Sequence, residues 1–118
     1  MPKRTDISSV LIIGAGPIGL AAAAHLIERG IPFEIYETGD ASGHTVAQWA
    51  HIRFFSPWKM LVDTAAARLL AGTGWTAPDD KKLPTGGQFL EEYLAPLAAL
   101  DSIQPHIRYG VTVTDVSR

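Results

Sequence analysis

The stretch VLIIGAGPIG, residues 10–19, decides the fold of this chain. An apolar run leads into Gly14, Gly16 and Gly19, which are spaced as G-x-G-x-x-G. A short apolar run before glycine is typical of a strand that is buried on both faces. Pro17 suits the first turn of a helix, where its missing N–H has no helical partner to lose. The stretch therefore predicts a strand, a tight turn and a helix.

The residues that follow complete a β-α-β unit. Residues 20–29 are rich in alanine and predict a helix that ends at Gly30. The next segment, IPFEIYE at residues 31–37, predicts a second strand. A unit of this length should have parallel strands joined by a right-handed crossover. We expect an α/β, Rossmann-like fold, in which a parallel sheet of order 3-2-1 is flanked by helices within one domain, residues 1–118.

The spacing of the three glycines is what phosphate binding at the start of a helix requires. Gly14 permits the tight turn, Gly16 lets the backbone approach a pyrophosphate, and Gly19 lets the helix pack close to the strand. The first turn of the helix, which contains Pro17 and Ile18, offers free N–H groups and a partial positive charge to phosphates. The sequence therefore predicts a dinucleotide site at this turn.

Glu37 is the residue that bears on the choice of dinucleotide. It lies eighteen residues after Gly19, at the end of the predicted second strand, where a carboxylate accepts hydrogen bonds from the adenosine ribose. A 2′-phosphate would be repelled there, and Thr38 provides no compensating arginine. NADP is therefore disfavoured in this first site, whereas FAD and NAD both fit these residues.

Composition excludes several classes of function. The net charge of −2 and the scattered lysines and arginines give no reason to expect nucleic acid. The lack of cysteine excludes a disulfide scaffold, a thiolate metal site and a redox dithiol in this chain, and it is compatible with the cytoplasm. The four histidines lack the spacing of metal ligands. A membrane segment is disfavoured because glycines and Pro17 interrupt the uncharged residues 10–27.

Local signals also predict elements downstream of the β-α-β unit. Residues 38–84 are mostly irregular, with Asp63 as the N-cap of a short helix that Gly72 ends. The segment TGGQ at residues 85–88 matches a capping box, and Pro96 should kink or weaken the end of the helix that follows. The segment IRYGVTVTDV, residues 107–116, predicts a last strand with a bend or bulge at Gly110 and apolar positions at Val111, Val113 and Val116. One buried face of the capped helix should consist of Phe89, Leu90, Tyr93, Leu94 and Leu97.

An aromatic cluster and one arginine in the irregular segment are further candidates for the site. Trp49, Phe54, Phe55 and Trp58 could cover a flavin ring or could plug the core beneath the excursion. Arg53 could meet a phosphate or a flavin carbonyl. The sequence does not decide between the two roles of the aromatic cluster or between the two partners of Arg53.

These residues resemble a known group of proteins. The segment VLIIGAGPIGLAAAAHLIERGIPFEIYE is similar to the amino-terminal FAD-binding segment of flavoproteins that bind two dinucleotides. Flavin-containing and Baeyer–Villiger-type monooxygenases and the pyridine nucleotide-disulfide oxidoreductase superfamily belong to that group. SGHTVAQW at residues 42–49 is similar to their Gly-Gly-x-Trp-like stretch, with His44 in place of the second glycine. HIRFFSPW at residues 51–58 resembles their arginine–serine–proline segment, which leads toward the flavin.

The resemblance implies a function for this chain. It implies FAD as the cofactor, NAD(P)H as the co-substrate, a small-molecule substrate and a monooxygenase-like reaction, with Trp49 and Arg53 near the flavin. It also implies that the chain is an incomplete amino-terminal part of a longer flavoprotein, inactive in isolation and prone to self-association at an uncovered strand edge. Two alternatives are an NAD-binding dehydrogenase fragment and a nucleotide-binding module without turnover.

Overall fold

A parallel sheet with one crossover helix forms the centre of the molecule. The computed structural model of the chain describes residues 10–40 and 44–111. Strands β1 (Val10–Ile13), β2 (Phe33–Glu37) and β3 (Ile107–Tyr109) are parallel and lie in the order β1-β2-β3. Helix α1 (Pro17–Glu28) connects β1 to β2. This order is the predicted 3-2-1 order counted from the other edge, so the predicted α/β topology is confirmed.

The centre of the sheet is a row of three isoleucines. Ile12 is the register partner of Ile35, and Ile35 is the partner of Ile107. All three side chains are buried, as are Leu20, Ala23 and Ala24 on α1. Because two of these α1 residues are alanines, the helix can lie close to the sheet.

β1 differs from its prediction as a strand buried on both faces. Ile12 is buried, but Val10, Leu11 and Ile13 are 38%, 45% and 54% exposed. β1 is the first strand in the sheet order, and among the described strands it pairs with β2 alone. Its apolar composition is that of an interior strand, whereas its surroundings are those of an edge strand.

The segment after β2 contains more helix than its composition suggests. It includes α2 (His44–Ala47), α3 (Trp58–Leu61) and α4 (Thr64–Ala71). The predicted N-cap of α4 is confirmed, because Asp63 Oδ2 accepts the Ala66 N–H at 3.0 Å. Gly72 ends α4 in a right-handed conformation, with φ of −69°, so this position does not require a glycine.

Polar contacts join α1 to α4. His25 Nε2 lies 3.0 Å from Asp63 Oδ1, and Arg68 binds the Glu28 carboxylate through two hydrogen bonds of 2.7 Å. The hydrogen bond from Arg68 lowers the pKa of Glu28. Exposed ion pairs contribute little to stability, so the partly buried Asp63 contact is the more consequential one.

The capped helix is confirmed, but its response to Pro96 is not a simple kink. Thr85 and Gln88 form the capping box at the start of α5 (Gly86–Phe89). A π-helical segment, Leu90–Leu94, then leads into α6 (Ala95–Ala98). Pro96 has no N–H to donate to the carbonyl of Glu92, and the indole N–H of Trp75 donates to that oxygen at 2.7 Å. Of the five predicted apolar positions, four are buried and Leu90 is partly buried.

The last strand is shorter in the described residues than its predicted extent. β3 ends at Tyr109, and Gly110 follows with φ of +71°, which confirms the predicted bend. The Val111 N–H still donates to the Glu37 carbonyl at 3.0 Å. Val113 and Val116 lie outside the described residues, as do Ser42 and Gly43 of the SGHTVAQW segment. Among the described helices, none is long and apolar enough to cross a membrane.

Candidate functional site

The glycine turn joins β1 to α1 at the carboxyl edge of the sheet. Gly14 has φ of +99°, a conformation that favours glycine, and its N–H donates to the Tyr36 carbonyl at 2.7 Å. Gly16 is the N-cap of α1 in an extended conformation. A Cβ atom built on Gly16 would meet no atom within 4 Å. The space in front of Gly16 is therefore open for a ligand.

Gly19 has the opposite environment, because the protein itself fills the space beside it. A Cβ atom at this position would collide with the Gly14 carbonyl oxygen and lie 3.2 Å from Ile12 Cγ2. The first turn of α1 thus passes so close to the end of β1 that a side chain has no room. Gly16 leaves space for a ligand, whereas Gly19 permits helix–strand contact.

Glu37 lies at the end of β2 and is 7% exposed. Its Oε1 accepts the Ala15 N–H at 2.6 Å, and its Oε2 accepts the Gly39 N–H at 2.8 Å. Each carboxylate oxygen has a second lone pair, so Glu37 can also accept a hydrogen bond from a ligand. The strand-end spacing indicates the ligand role, but nothing in the sequence indicates that Glu37 holds the glycine turn.

A cavity of about 520 Å³ lies along the glycine turn. Its position at the carboxyl ends of β1 and β2 is where open α/β sheets bind ligands, and its volume is typical of cofactor sites. Six of the predicted site residues line it: Gly14, Gly16, Pro17, Ile18, Gly19 and Glu37. The lining also includes Ile12, Ile13, Ala22, His44 and Val46.

Trp49 and Arg53 are not among the residues that line this cavity. The Trp49 side chain is 55% exposed. Arg53 donates a hydrogen bond through Nη1 to the Leu83 carbonyl. It lines a second cavity, of about 650 Å³, together with Lys82 and Glu92. The structure therefore brings the glycine turn and Glu37 together and places the two downstream candidates elsewhere.

The aromatic residues of the same segment are divided between the core and the surface. The ring of Phe89 lies 5.4 Å from that of Phe54 and 5.9 Å from that of Trp58. Trp58 is 4% exposed, whereas Phe55 is 99% exposed. Phe54 and Trp58 thus belong to the core, and the four aromatic residues do not form a single surface.

The cavity has the properties that a bound dinucleotide requires. Gly16 leaves space for a pyrophosphate, the first turn of α1 has N–H groups without helical partners, and Glu37 accepts hydrogen bonds. Residues 10–40 and 44–111 contain no group of three histidine, aspartate or glutamate side chains that could hold a metal ion. Of the five lining residues that the sequence did not predict, His44 is the one with a polar side chain, and its one signal in the sequence is the departure from the glycine pattern.

The sheet order, the crossover helix and the glycine turn make this a Rossmann-like domain. The chain belongs to the pyridine nucleotide-disulphide oxidoreductase family, whose model matches residues 11–118. The resemblance to that superfamily is therefore confirmed.

Solved enzyme structures share this fold at low sequence identity. An oxidized steroid monooxygenase bound to NADP matches with a TM-score of 0.66 and 19% identity, over 86% of this chain and 19% of that one. OTEMO in complex with FAD and NADP matches with a TM-score of 0.67 and 19% identity, over 94% of this chain and 20% of that one. The bacillithiol disulfide reductase of Staphylococcus aureus has a TM-score of 0.58 and 22% identity, over 86% and 28% of the two chains.

Curated relatives match over a small part of their own length. The indole-3-pyruvate monooxygenase YUCCA1 of Oryza sativa subsp. japonica is 43% identical over 49 residues, which are 42% of this chain and 11% of that protein. The carbamoyl phosphate synthase large chain of Myxococcus xanthus is 32% identical over 129 residues, 99% of this chain and 11% of that protein. Each likeness is thus to one segment of a much longer protein.

Proposed function

We propose that this cavity binds the ADP half of FAD, and that the chain is the FAD-binding amino-terminal part of an NAD(P)H-dependent, monooxygenase-like flavin oxidoreductase. One juxtaposition carries the proposal: the open side of Gly16 lies in the same cavity as the Glu37 carboxylate. In an adenine dinucleotide, the diphosphate is covalently attached to the adenosine ribose, so the two groups lie next to each other. The glycine turn and the acidic strand end therefore suit two adjacent parts of one ligand.

Five of the residues that line the cavity have a role in this proposal. The backbone of Gly14 and Gly16 and the amino terminus of α1 would bind the pyrophosphate, and Glu37 would bind the ribose. Pro17 and Ile18 would pack against the ligand from the first turn of the helix. An FAD held by these residues would supply the redox chemistry, hydride acceptance from a nicotinamide and reaction with oxygen, so the task of these residues would be to bind and orient it.

The choice of a monooxygenase-like reaction rests on the relatives. YUCCA1 and the steroid enzyme are named as monooxygenases, and OTEMO was solved with FAD and NADP. This chain contains no cysteine, so it contributes no dithiol of the kind that a disulfide reductase uses. NAD(P)H and a small-molecule substrate are proposed for the whole protein that carries this segment. We also propose that the protein is cytoplasmic and that this chain self-associates. Trp49 and Arg53 are proposed to contact the flavin.

Titration calorimetry and absorbance spectra test the cofactor assignment. The wild-type chain should bind FAD and show flavin absorbance, and Gly16→Val should lose binding because its side chain occupies the pyrophosphate space. Gly72→Ala is a matched control, since a Cβ atom there makes only an ordinary contact of 3.5 Å with the Leu69 carbonyl. Binding of NAD without FAD would support the dehydrogenase alternative. Equal FAD affinity of the wild type and Gly16→Val would contradict the site.

Turnover is a separate question from binding. The sequence contains one G-x-G-x-x-G motif, so the chain offers no second glycine turn at which a nicotinamide could bind. We expect the 118-residue chain to bind FAD weakly and not to oxidise NADPH at a steady rate. Steady oxidation by stoichiometrically flavin-loaded chain would contradict this expectation.

A further inference from the structure

His44 lies in the wall of the nucleotide cavity, beside the end of β2. A Cβ atom built on Gly39 would lie 2.6 Å from His44 Cγ and 3.0 Å from His44 Nδ1. The imidazole therefore rests directly on the backbone of Gly39. The Gly39 N–H donates in turn to Glu37 Oε2 at 2.8 Å. Through this contact, the position of His44 is tied to the residue proposed to bind the ribose.

The chemistry of the cavity lining makes this histidine distinctive. Among the described residues that line the cavity, His44 has the one side chain that can donate a hydrogen bond. The other lining residues are glycines, a proline, aliphatic residues and Glu37, whose carboxylate can only accept. A diphosphate is rich in acceptors and carries negative charge close to Glu37. Besides the backbone donors of the glycine turn, His44 is the side-chain donor that the cavity lining offers to such a group.

We propose that His44 is a binding residue for the diphosphate of the nucleotide, and that its imidazole donates a hydrogen bond to a phosphate oxygen from the cavity wall. The inference rests on the proposed function, because it assumes an adenine dinucleotide in this cavity. It also assigns a role to Gly39, which provides the space that the imidazole occupies. The ligand class follows: nucleoside diphosphates should be bound through His44, whereas nucleosides without phosphate should not.

Calorimetry of the 118-residue chain with ADP and with adenosine separates these contributions. His44→Phe keeps a ring of similar size but removes the donor, and His44→Gln keeps a donor. Gly39→Ala leaves His44 unchanged but displaces its imidazole, because the new Cβ atom would lie 2.6 Å from Cγ. The matched control is His51→Phe, since His51 is exposed and is not a lining residue of the cavity.

A charge-assisted hydrogen bond corresponds to about a ten- to hundred-fold change in affinity. His44→Phe and Gly39→Ala should each weaken ADP binding by about that factor, with adenosine binding unchanged. His44→Gln should bind ADP within a few-fold of the wild type, and His51→Phe should bind it equally well. Circular dichroism establishes that the variants are folded, and Gly39→Ala tests the contact independently if His44→Phe does not fold.

Three other results would overturn the inference in different ways. If Gly16→Val abolishes ADP binding while folded His44→Phe retains wild-type affinity, the nucleotide site stands and His44 is not part of it. If His44→Phe weakens ADP and adenosine binding equally, the imidazole packs against the nucleoside and does not bind the diphosphate. If the wild type binds neither FAD nor ADP, the proposed function itself fails, and this inference fails with it.

Discussion

The backbone N–H of Ala15 donates a hydrogen bond of 2.6 Å to Oε1 of Glu37, across 22 residues of sequence. The contact joins the turn after β1 to the end of β2. The second oxygen of the same buried carboxylate accepts the Gly39 N–H. Glu37 therefore holds the glycine turn and also lines the cavity, so a change at Glu37 should alter both folding and ligand binding.

Removing the Glu37 carboxylate should lower stability and affinity together. Glu37→Ala leaves two buried N–H groups without their acceptor, and each such loss is worth about 1–3 kcal/mol. We expect the free energy of unfolding to fall by about 2 kcal/mol or more in urea titrations, and ADP affinity to fall in calorimetry. Glu34→Ala on the same strand is the control, because Glu34 contacts the partly exposed side chains of Arg108 and His106. Unchanged stability of Glu37→Ala would contradict the double role.

Gly19 and Gly16 should respond differently to the same added methyl group. Gly19→Ala places Cβ against the Gly14 carbonyl, so α1 must move away from β1. Overpacking of this kind destabilises by about 1–3 kcal/mol. Gly16→Ala has open space and should leave the melting temperature nearly unchanged. Thermal unfolding followed by circular dichroism compares the two variants, and equal melting temperatures would contradict the close helix–strand contact.

Asp63 should contribute to acid unfolding. Burial acts to raise the pKa of Asp63, but the hydrogen bonds from Ala66 and His25 outweigh it and hold that pKa below its ordinary value of 3.8. A carboxyl with a lowered folded-state pKa stabilises the fold above its unfolded-state value, and this contribution is lost as the pH falls through the folded-state pKa. Asp63→Asn keeps an N-cap but does not titrate. The stability difference between wild type and variant should therefore shrink as the pH falls below about 4.

The indole of Trp75 should compensate for the missing N–H of Pro96. Trp75→Phe removes the donor to the Glu92 carbonyl and should lower the free energy of unfolding by about 1 kcal/mol. In a Pro96→Ala background, a backbone N–H becomes available one helical turn after Glu92, so the same substitution should have a smaller effect. A double-mutant cycle measures the difference between the two backgrounds. Equal effects in both would show that the two groups are uncoupled.

The exposed side chains of β1 should cause self-association. Leu11 and Ile13 are 45% and 54% exposed on an apolar strand at the sheet edge. A lysine on such an edge opposes pairing with another chain. Light scattering after size-exclusion chromatography should show a larger species for the wild type than for Leu11→Lys. Lys59→Glu, at an exposed position of α3, is a control for the effect of a surface charge change. A monomeric wild type at high concentration would contradict this prediction.

Local rules of sequence were sufficient for the elements that depend on near neighbours. The glycine spacing and the alanine-rich segment predicted β1, α1 and β2, because turn geometry and helix ends depend on adjacent residues. Asp63 and the Thr85–Gln88 capping box were predicted for the same reason. The exposure of β1 was not predicted. An apolar run shows that its residues favour burial, but it does not show whether other parts of the chain pack over them.

The tertiary structure decided which distant residues meet. Sequence alone placed Glu37 at a strand end, but only the packed sheet brings its carboxylate to Ala15. Arg53 and His44 were both downstream of β2, yet the path of the chain directs Arg53 to Leu83 and His44 into the cavity wall. The physical reason is that hydrogen bonds and packing between elements depend on how the chain closes in space. A sequence pattern gives the spacing of residues along the chain, but it does not give the distances between residues in the folded protein.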